Sequence, residues 1–303
     1  MSPSTRRGFT LVELMVALVL MTMVGGVTYQ LLMNTQRVSR SQSSHVDLQD
    51  NVRVGALAVA SELRELGYDN IPAAILAAEW PGAPATSPDL MLALPDRVQY
   101  KAMRGMGLVC SIGATQIVMK AASYQGIRQP TTTDSVAVYV EDKSNTATDD
   151  VWIHGSITGV VAQNCPDGKA GTRLTVAYPL WEAGNVAARV KLGGPVRIFE
   201  PMEIQYYAAN GRSWLGMRSL STGEAMQPIL GPLADNVGGQ SGFTLTYLDV
   251  NGNPTAVLND VRSIDVSFRG VTDVPVRRTS SGGTVVDSMT LTTRVALRNA
   301  LRP

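Results

Sequence analysis

One carboxylate stands inside a long apolar run. Residues Phe9 to Met33 read FTLVELMVALVLMTMVGGVTYQLLM, with Glu13 as their one charge and Gln30 as their one amide. In lipid an unpaired carboxylate is costly, so Glu13 is a functional residue by default; a carboxylate snorkelling near the helix end is the plain alternative. The other residues that commonly do chemistry are few: Cys110, Cys165, His45 and His154 are all the Cys and His of the chain. Four thiolates for an iron–sulfur cluster are not available. His154 precedes Ser156 by two, which on a strand puts both on one face, a poor start for a Ser–His–acid triad. It reads as a surface strand residue. His45 falls in a polar stretch of helical pattern and reads as solvated or at a subunit contact. Asp249-Val250-Asn251-Gly252-Asn253 has calcium-loop residue types but lacks the distal Glu, and reads as a hairpin turn. Glu141, Asp142, Asp149 and Asp150 read as a solvated loop. Gly193-Gly194 and Gly238-Gly239 precede no helix and no phosphate-binding Lys. Arg277-Arg278 is too small a basic patch to indicate DNA. No catalytic residue, metal ligand or cofactor is assigned, so the chain reads as a non-enzyme.

Composition narrows the class further. The chain has 303 residues, enough for one large domain or two ordinary ones. Apolar residues at 45% against 17% charged allow a buried core and argue against disorder. With 26 Lys+Arg against 25 Asp+Glu, the formal charge of +1 argues against a generally basic nucleic-acid binder.

The elements that must position Glu13 follow from the pattern. As a helix, Phe9–Met33 spans roughly 37 Å, enough for a bilayer core of about 30 Å. Arg6 and Arg7 precede it and no basic residue follows until Arg37, so the N-terminus is expected on the cytoplasmic side and the rest outside. A secretory signal peptide fits poorly: the run is too long and no A-x-A site follows. Beyond Met33 the sequence turns polar without a break, and no proline occurs between Pro3 and Pro72. Val46, Val52, Leu57, Ala60, Leu63 and Leu66 approximate one helical face, with Arg53, Glu62 and Arg64 off it. Gly67 suits a C-terminal cap. The expected helix covers 9–66, with 9–33 as its transmembrane part.

The remainder, 67–303, reads as a β-rich head. Residues 69 to about 111 are loop-rich, with Pro72, Pro81, Pro84, Pro88 and Pro95. Strands are expected at 116–120, 135–141, 151–161, 172–178, 196–208, 243–250, 261–268 and 286–298. Asn210-Gly211 sits at the tip of a hairpin over 204–215, and Asn251-Gly252 repeats the device. Val261, Ile264, Val266 and Phe268 face one way, Asp265 and Ser267 the other. One long helix followed by hairpins is an α+β plan. Cys110 and Cys165 both fall on the extracytoplasmic side, where an even count favours a disulfide over two free thiols.

The N-terminal residues also carry a resemblance. Arg6-Arg7-Gly8-Phe9-Thr10-Leu11-Val12-Glu13-Leu14 resembles the class III signal of type IV prepilins and pseudopilins. The resemblance implies a leader of residues 1–8, removed by a membrane peptidase between Gly8 and Phe9, and N-methylation of Phe9. It also implies that Glu13 pairs with the terminal amine of a neighbouring subunit. The physics agrees, since a buried ammonium and a buried carboxylate each need a partner in lipid. Many major pilins carry a Pro midway along this helix; here Gly25-Gly26 stands instead, as a softened turn or as a close helix–helix contact.

Further along, Leu63-Arg64-Glu65-Leu66-Gly67-Tyr68 resembles the closing helix segment of minor pilins of the PilW kind. Thr133–Tyr139, Gly231–Val237, Phe243–Tyr247 and Thr293–Asn299 resemble stretches of the same family in the same order. The resemblance covers most of the chain outside roughly 69–132. It implies a type IV pilin-like fold and a minor pilin that primes pilus assembly in a tip complex. Its partners would be other minor pilins, the major pilin, the prepilin peptidase and the inner-membrane assembly platform. It would sit as a single-pass protein of the inner membrane with a periplasmic head, then in the pilus at the cell surface. A type II secretion pseudopilin of the J kind is a second reading. A tip adhesin or DNA-uptake pilin is a third, with its ligand site in 69–132 around Trp80.

Overall fold

The computed structural model describes residues 10–66, 89–140, 151–178, 189–236, 241–273, 275–277 and 284–297. Its one long helix, α1, covers Leu11–Arg64. Thr10 caps its start: the Glu13 N–H donates to Thr10 Oγ1 at 3.3 Å and the Leu14 N–H to the Thr10 carbonyl at 3.2 Å. Glu13 in the first turn and Arg64 in the last complement the helix dipole. At 54 residues the helix is about 81 Å long. The chain divides into two compact units, Met1–Asp50 with Thr272–Asp287, and Asn51–Val271 with Ser288–Pro303, so the division falls inside α1.

The larger unit holds most of the strands. They are β1 Leu90–Leu94, β2 Arg97–Ile112, β3 Gln116–Lys120, β4 Gln125–Gly126, β5 Ser135–Val140, β6 Val151–Ala162, β7 Gly171–Ala177 and β8 Pro195–Ala209. β9 Arg212–Ser219, β10 Gln227–Leu233, β11 Phe243–Leu248 and β12 Ser263–Val271 follow. Two short strands, β13 Val276–Arg277 and β14 Thr284–Val285, pair with each other in the smaller unit before β15 Ser288–Ala296 returns to β12. Each strand pairing is antiparallel, as expected for an α+β chain built from hairpins.

Six strands form a closed ring. β2 pairs with β3, β3 with β7, β7 with β6, β6 with β5, β5 with β8, and β8 returns to β2. Each contributes inward residues to one cluster: Val109, Ile117, Val138, Ile153, Leu174 and Ile198 among them, all nearly solvent-free. A barrel this narrow is filled by its own side chains. Two glycines, Gly105 on β2 and Gly126 on β4, leave room for the side chain of Tyr124. A Cβ on Gly105 would lie 2.3 Å from the Tyr124 hydroxyl, so Tyr124 fits only because β2 presents bare backbone there. β2 and β8 run past the ring, and the same sheet continues from them through β1, β9, β10, β12, β11 and β15.

The structure changes three readings. Residues 90–94 and 97–112 are two strands joined by a tight turn, not loop, and β2 is the longest strand among the described residues. Its alternation is hidden by a bulge between Met103 and Gly105. Before the bulge Val98, Tyr100 and Ala102 share a face, whereas after it Gly105, Gly107 and Val109 face the ring, so no single period fits the stretch. The buried face of α1 is also different. Leu48, Val52, Ala56, Val59, Ala60, Leu63 and Leu66 are buried, while Val46 and Leu57 are exposed. The third change is at Asn251-Gly252. Asn210 and Gly211 both take positive φ (54° and 72°), the tight turn joining β8 to β9. At 251–252 only Gly252 does, and Asp249 organises a longer connection instead: its Oδ1 accepts the Asn251 and Asn253 N–H groups, each at 2.8 Å. On β12, Ile264, Val266 and Phe268 are buried and alternate with partly exposed neighbours, as the sequence pattern predicts.

Candidate functional site

The N-terminal half of α1 is apolar and bare. Leu11, Met15, Leu18, Met21, Leu31 and the residues between them are exposed, so among the described residues no apolar surface covers them. Glu13 is exposed among them. Two threonine hydroxyls in the segment are satisfied locally: Thr22 donates to the Val19 carbonyl at 2.8 Å and Thr28 to the Val24 carbonyl at 2.7 Å. That lets hydroxyls sit in hydrocarbon without an orphan donor. The helix runs unbroken through Gly25-Gly26, and among the described residues nothing beyond the helix's own backbone lies within 4 Å of where a Cβ would be on either. Arg6, Arg7, Gly8 and Phe9 lie outside the described residues. This helix is long and apolar enough to cross a membrane.

The other candidate residues are dispersed and structural in their contacts. Cys110 on β2 and Cys165 beyond β6 are joined, with Cα atoms 5.7 Å apart, and pack against Val118. The link pins the β6–β7 turn to the β2–β3 hairpin. His154 is half-buried, not a surface residue. Its ring meets Phe199 edge-on at 5.6 Å, and Nε2 lies 3.5 Å from Lys101 Nζ, because β6, β5 and β8 bring these faces together. His45 lies 3.1 Å from Asp287 within the smaller unit. Trp80, Gly238-Gly239 and the acidic residues 141–150 lie outside the described residues, as does Arg278.

A charged cluster that the sequence reading did not single out ties the barrel to the last turns of α1. Glu200 on β8 accepts Arg104 Nε at 2.9 Å and Arg128 Nη2 at 3.1 Å. Arg128 also grips the buried Asp134 with both nitrogens, Nη1 at 2.6 Å from Oδ2. Asp134 takes the Thr131 N–H and hydroxyl as well, at 2.8 and 2.9 Å. From the helix, Glu62 accepts the Tyr100 hydroxyl at 3.2 Å and lies 4.0 Å from Arg104. Burial alone would raise the Asp134 and Glu200 carboxyls, but hydrogen bonds outweigh it and hold both below their usual range: from Arg128 and Thr131 at Asp134, and from Ser219, Arg104 and Arg128 at Glu200. Burial, then Glu62, pushes the Tyr100 phenol well up, so it stays a neutral donor. Each charge has a partner, and Arg104 and Glu200 stand on paired strands, which is the signature of an anchor. Arg128 and Asp134 are six residues apart, but separations of 96, 72 and 38 residues in the other pairs hide the cluster from a linear reading.

Comparison with known proteins returns one match. Residues 3–29 match the prokaryotic N-terminal methylation motif. No curated protein and no solved structure matches the chain. The matched residues take in the Gly8–Phe9 junction and Glu13. The motif implies processing by prepilin peptidase and assembly with pilus components, and together with the apolar helix it points to membrane anchoring and a structural role. With an α+β, pilin-like arrangement of a long apolar helix and an antiparallel head, the motif supports a type IV pilin or pseudopilin.

Proposed function

We propose that the chain is a minor pilin of a type IV pilus, most like the PilW kind, that primes pilus assembly in a tip complex with other minor pilins. Residues 1–8 are the leader, 9–66 the stem and 67–303 the head. The chain enters the inner membrane with its N-terminus cytoplasmic and its head periplasmic. The peptidase cuts after Gly8 and the new Phe9 amine is methylated. Glu13 then pairs with the terminal amine of a neighbouring helix, so each subunit supplies the charge that the next one needs in lipid. Other minor pilins, the major pilin and the assembly platform are the partners.

One observation carries this reading: a single carboxylate is the fifth residue after the Gly8–Phe9 junction, in an apolar helix that finds no cover among the described residues. The test is Glu13→Ala, followed by immunoblotting of sheared filaments against membranes. The reading expects a processed, folded subunit that accumulates in the membrane and is lost from filaments. Wild-type incorporation of Glu13→Ala would overturn it.

A further inference from the structure

Gly55 stands in the interior of α1, where glycine costs a helix about 1 kcal/mol against alanine. A Cβ there would lie 2.5, 2.8 and 2.9 Å from Leu230 Cδ2, Cδ1 and Cγ. Leu230 is buried on β10, so this leucine fills the space a side chain at 55 would need. One helical turn earlier, Asn51 Nδ2 donates to the carbonyl of Gly231, the next residue of β10. Gly231 is itself held close, since a Cβ on it would meet the Trp214 ring at 2.5 Å. A bare turn of helix thus receives Leu230 while an amide reads the adjoining carbonyl.

The apolar contacts around this notch do not do this work; the directed contact from Tyr100 to Glu62 lies about two turns further on. Val52, Val59 and Leu63 bury apolar surface, which holds the helix down without choosing where it rests, because the hydrophobic effect is non-directional. The notch and the directed hydrogen bond supply a register. We propose that Asn51 and Gly55 are positioning residues that set the seat of α1 on β10, and that this seat is required for incorporation of the subunit into a filament. The second clause rests on the function proposed above.

The test uses the full chain in detergent micelles, spin-labelled at two exposed sites, Ala58→Cys on α1 and Thr222→Cys between β9 and β10. Gly55→Leu is expected to lengthen the label–label distance by about 2 Å, the spread that contact side chains impose on helix packing. Adding Leu230→Ala should restore the wild-type distance by returning the space. An unchanged distance in Gly55→Leu, or no restoration by Leu230→Ala, overturns the proposal. Asn51→Ala overpacks nothing, so it covers the case of a misfolded Gly55→Leu; it should broaden the distance distribution, and a wild-type distribution counts against the seat. In cells, Gly55→Leu should fall to background in sheared filaments and the double variant should recover. Normal incorporation of Gly55→Leu beside a defective Glu13→Ala overturns the proposal alone. Normal incorporation of both overturns the proposed function, and the in-vitro distances still judge the seat.

Discussion

Leu18 and Leu174 are the same residue in opposite circumstances. Leu18, in the N-terminal half of α1, is 59% exposed; Leu174, inside the β-barrel, is 0% exposed. The contrast extends to their neighbours. Leu, Val and Met fill both regions, yet the barrel residues pack on one another while the helix residues stay uncovered among the described residues. One region is complete as a fold. The other is apolar surface prepared for something outside the chain, and lipid and parallel helices are the environments that accept it. Exposed leucines are ordinary when scattered; a continuous run of them is an interface.

This difference can be broken by stability measurements on the full chain in micelles, with urea unfolding followed by Trp fluorescence. The largest effect is expected from Cys110→Ser with Cys165→Ser. The link closes a separation of 55 residues, and its loss should cost about 4 kcal/mol in the chain-entropy account. An unchanged midpoint would mean that the barrel holds its β6–β7 corner without the bond. Leu174→Ala should cost about 3 kcal/mol, as buried Leu→Ala changes do.

Asp134→Ala comes next. It breaks a buried carboxylate–guanidinium pair, but Arg128 is one-third exposed, so about 2 kcal/mol is expected, below the range for a fully buried pair. The same residue predicts a pH dependence. Asp134 and Glu200 hold their carboxyls below the usual range when folded. The unfolded chain therefore binds protons first as pH falls past the ordinary carboxylate value of about 4. The contribution of both groups is full above that value and is lost below it. Urea midpoints should drop between neutral and acidic buffer, and Asp134→Asn should drop less steeply; parallel declines would remove Asp134 from the account. The smallest effect belongs to Leu18→Ala, which should leave the midpoint at its wild-type value. A measurable loss there would show that the apolar helix half does have a partner in its own chain.

Legibility in the sequence followed the range of the interactions. Glu13 and its apolar run were readable because everything that defines them lies within one helix. Hairpins closed by local turn chemistry were readable for the same reason, as at Asn210-Gly211. β2 was not, because a bulge reverses its phase and its glycines serve Tyr124, a residue on another element. The helix face was half read: Val52, Ala60, Leu63 and Leu66 are buried, but Val46 and Leu57 point away, since a stripe drawn through every apolar residue ignores which turn meets the sheet. The Glu62–Arg104–Glu200–Arg128–Asp134 cluster was invisible because its members come together only after β2, β5 and β8 have paired.

The central claim is that the exposed apolar helix becomes a processed stem. Mass spectrometry of the N-terminal peptide, from protein purified from its own membranes, tests it most directly. The account predicts a chain that begins at Phe9 with a methylated amine. A chain that begins at Met1, or one cut beyond Glu13, would contradict it.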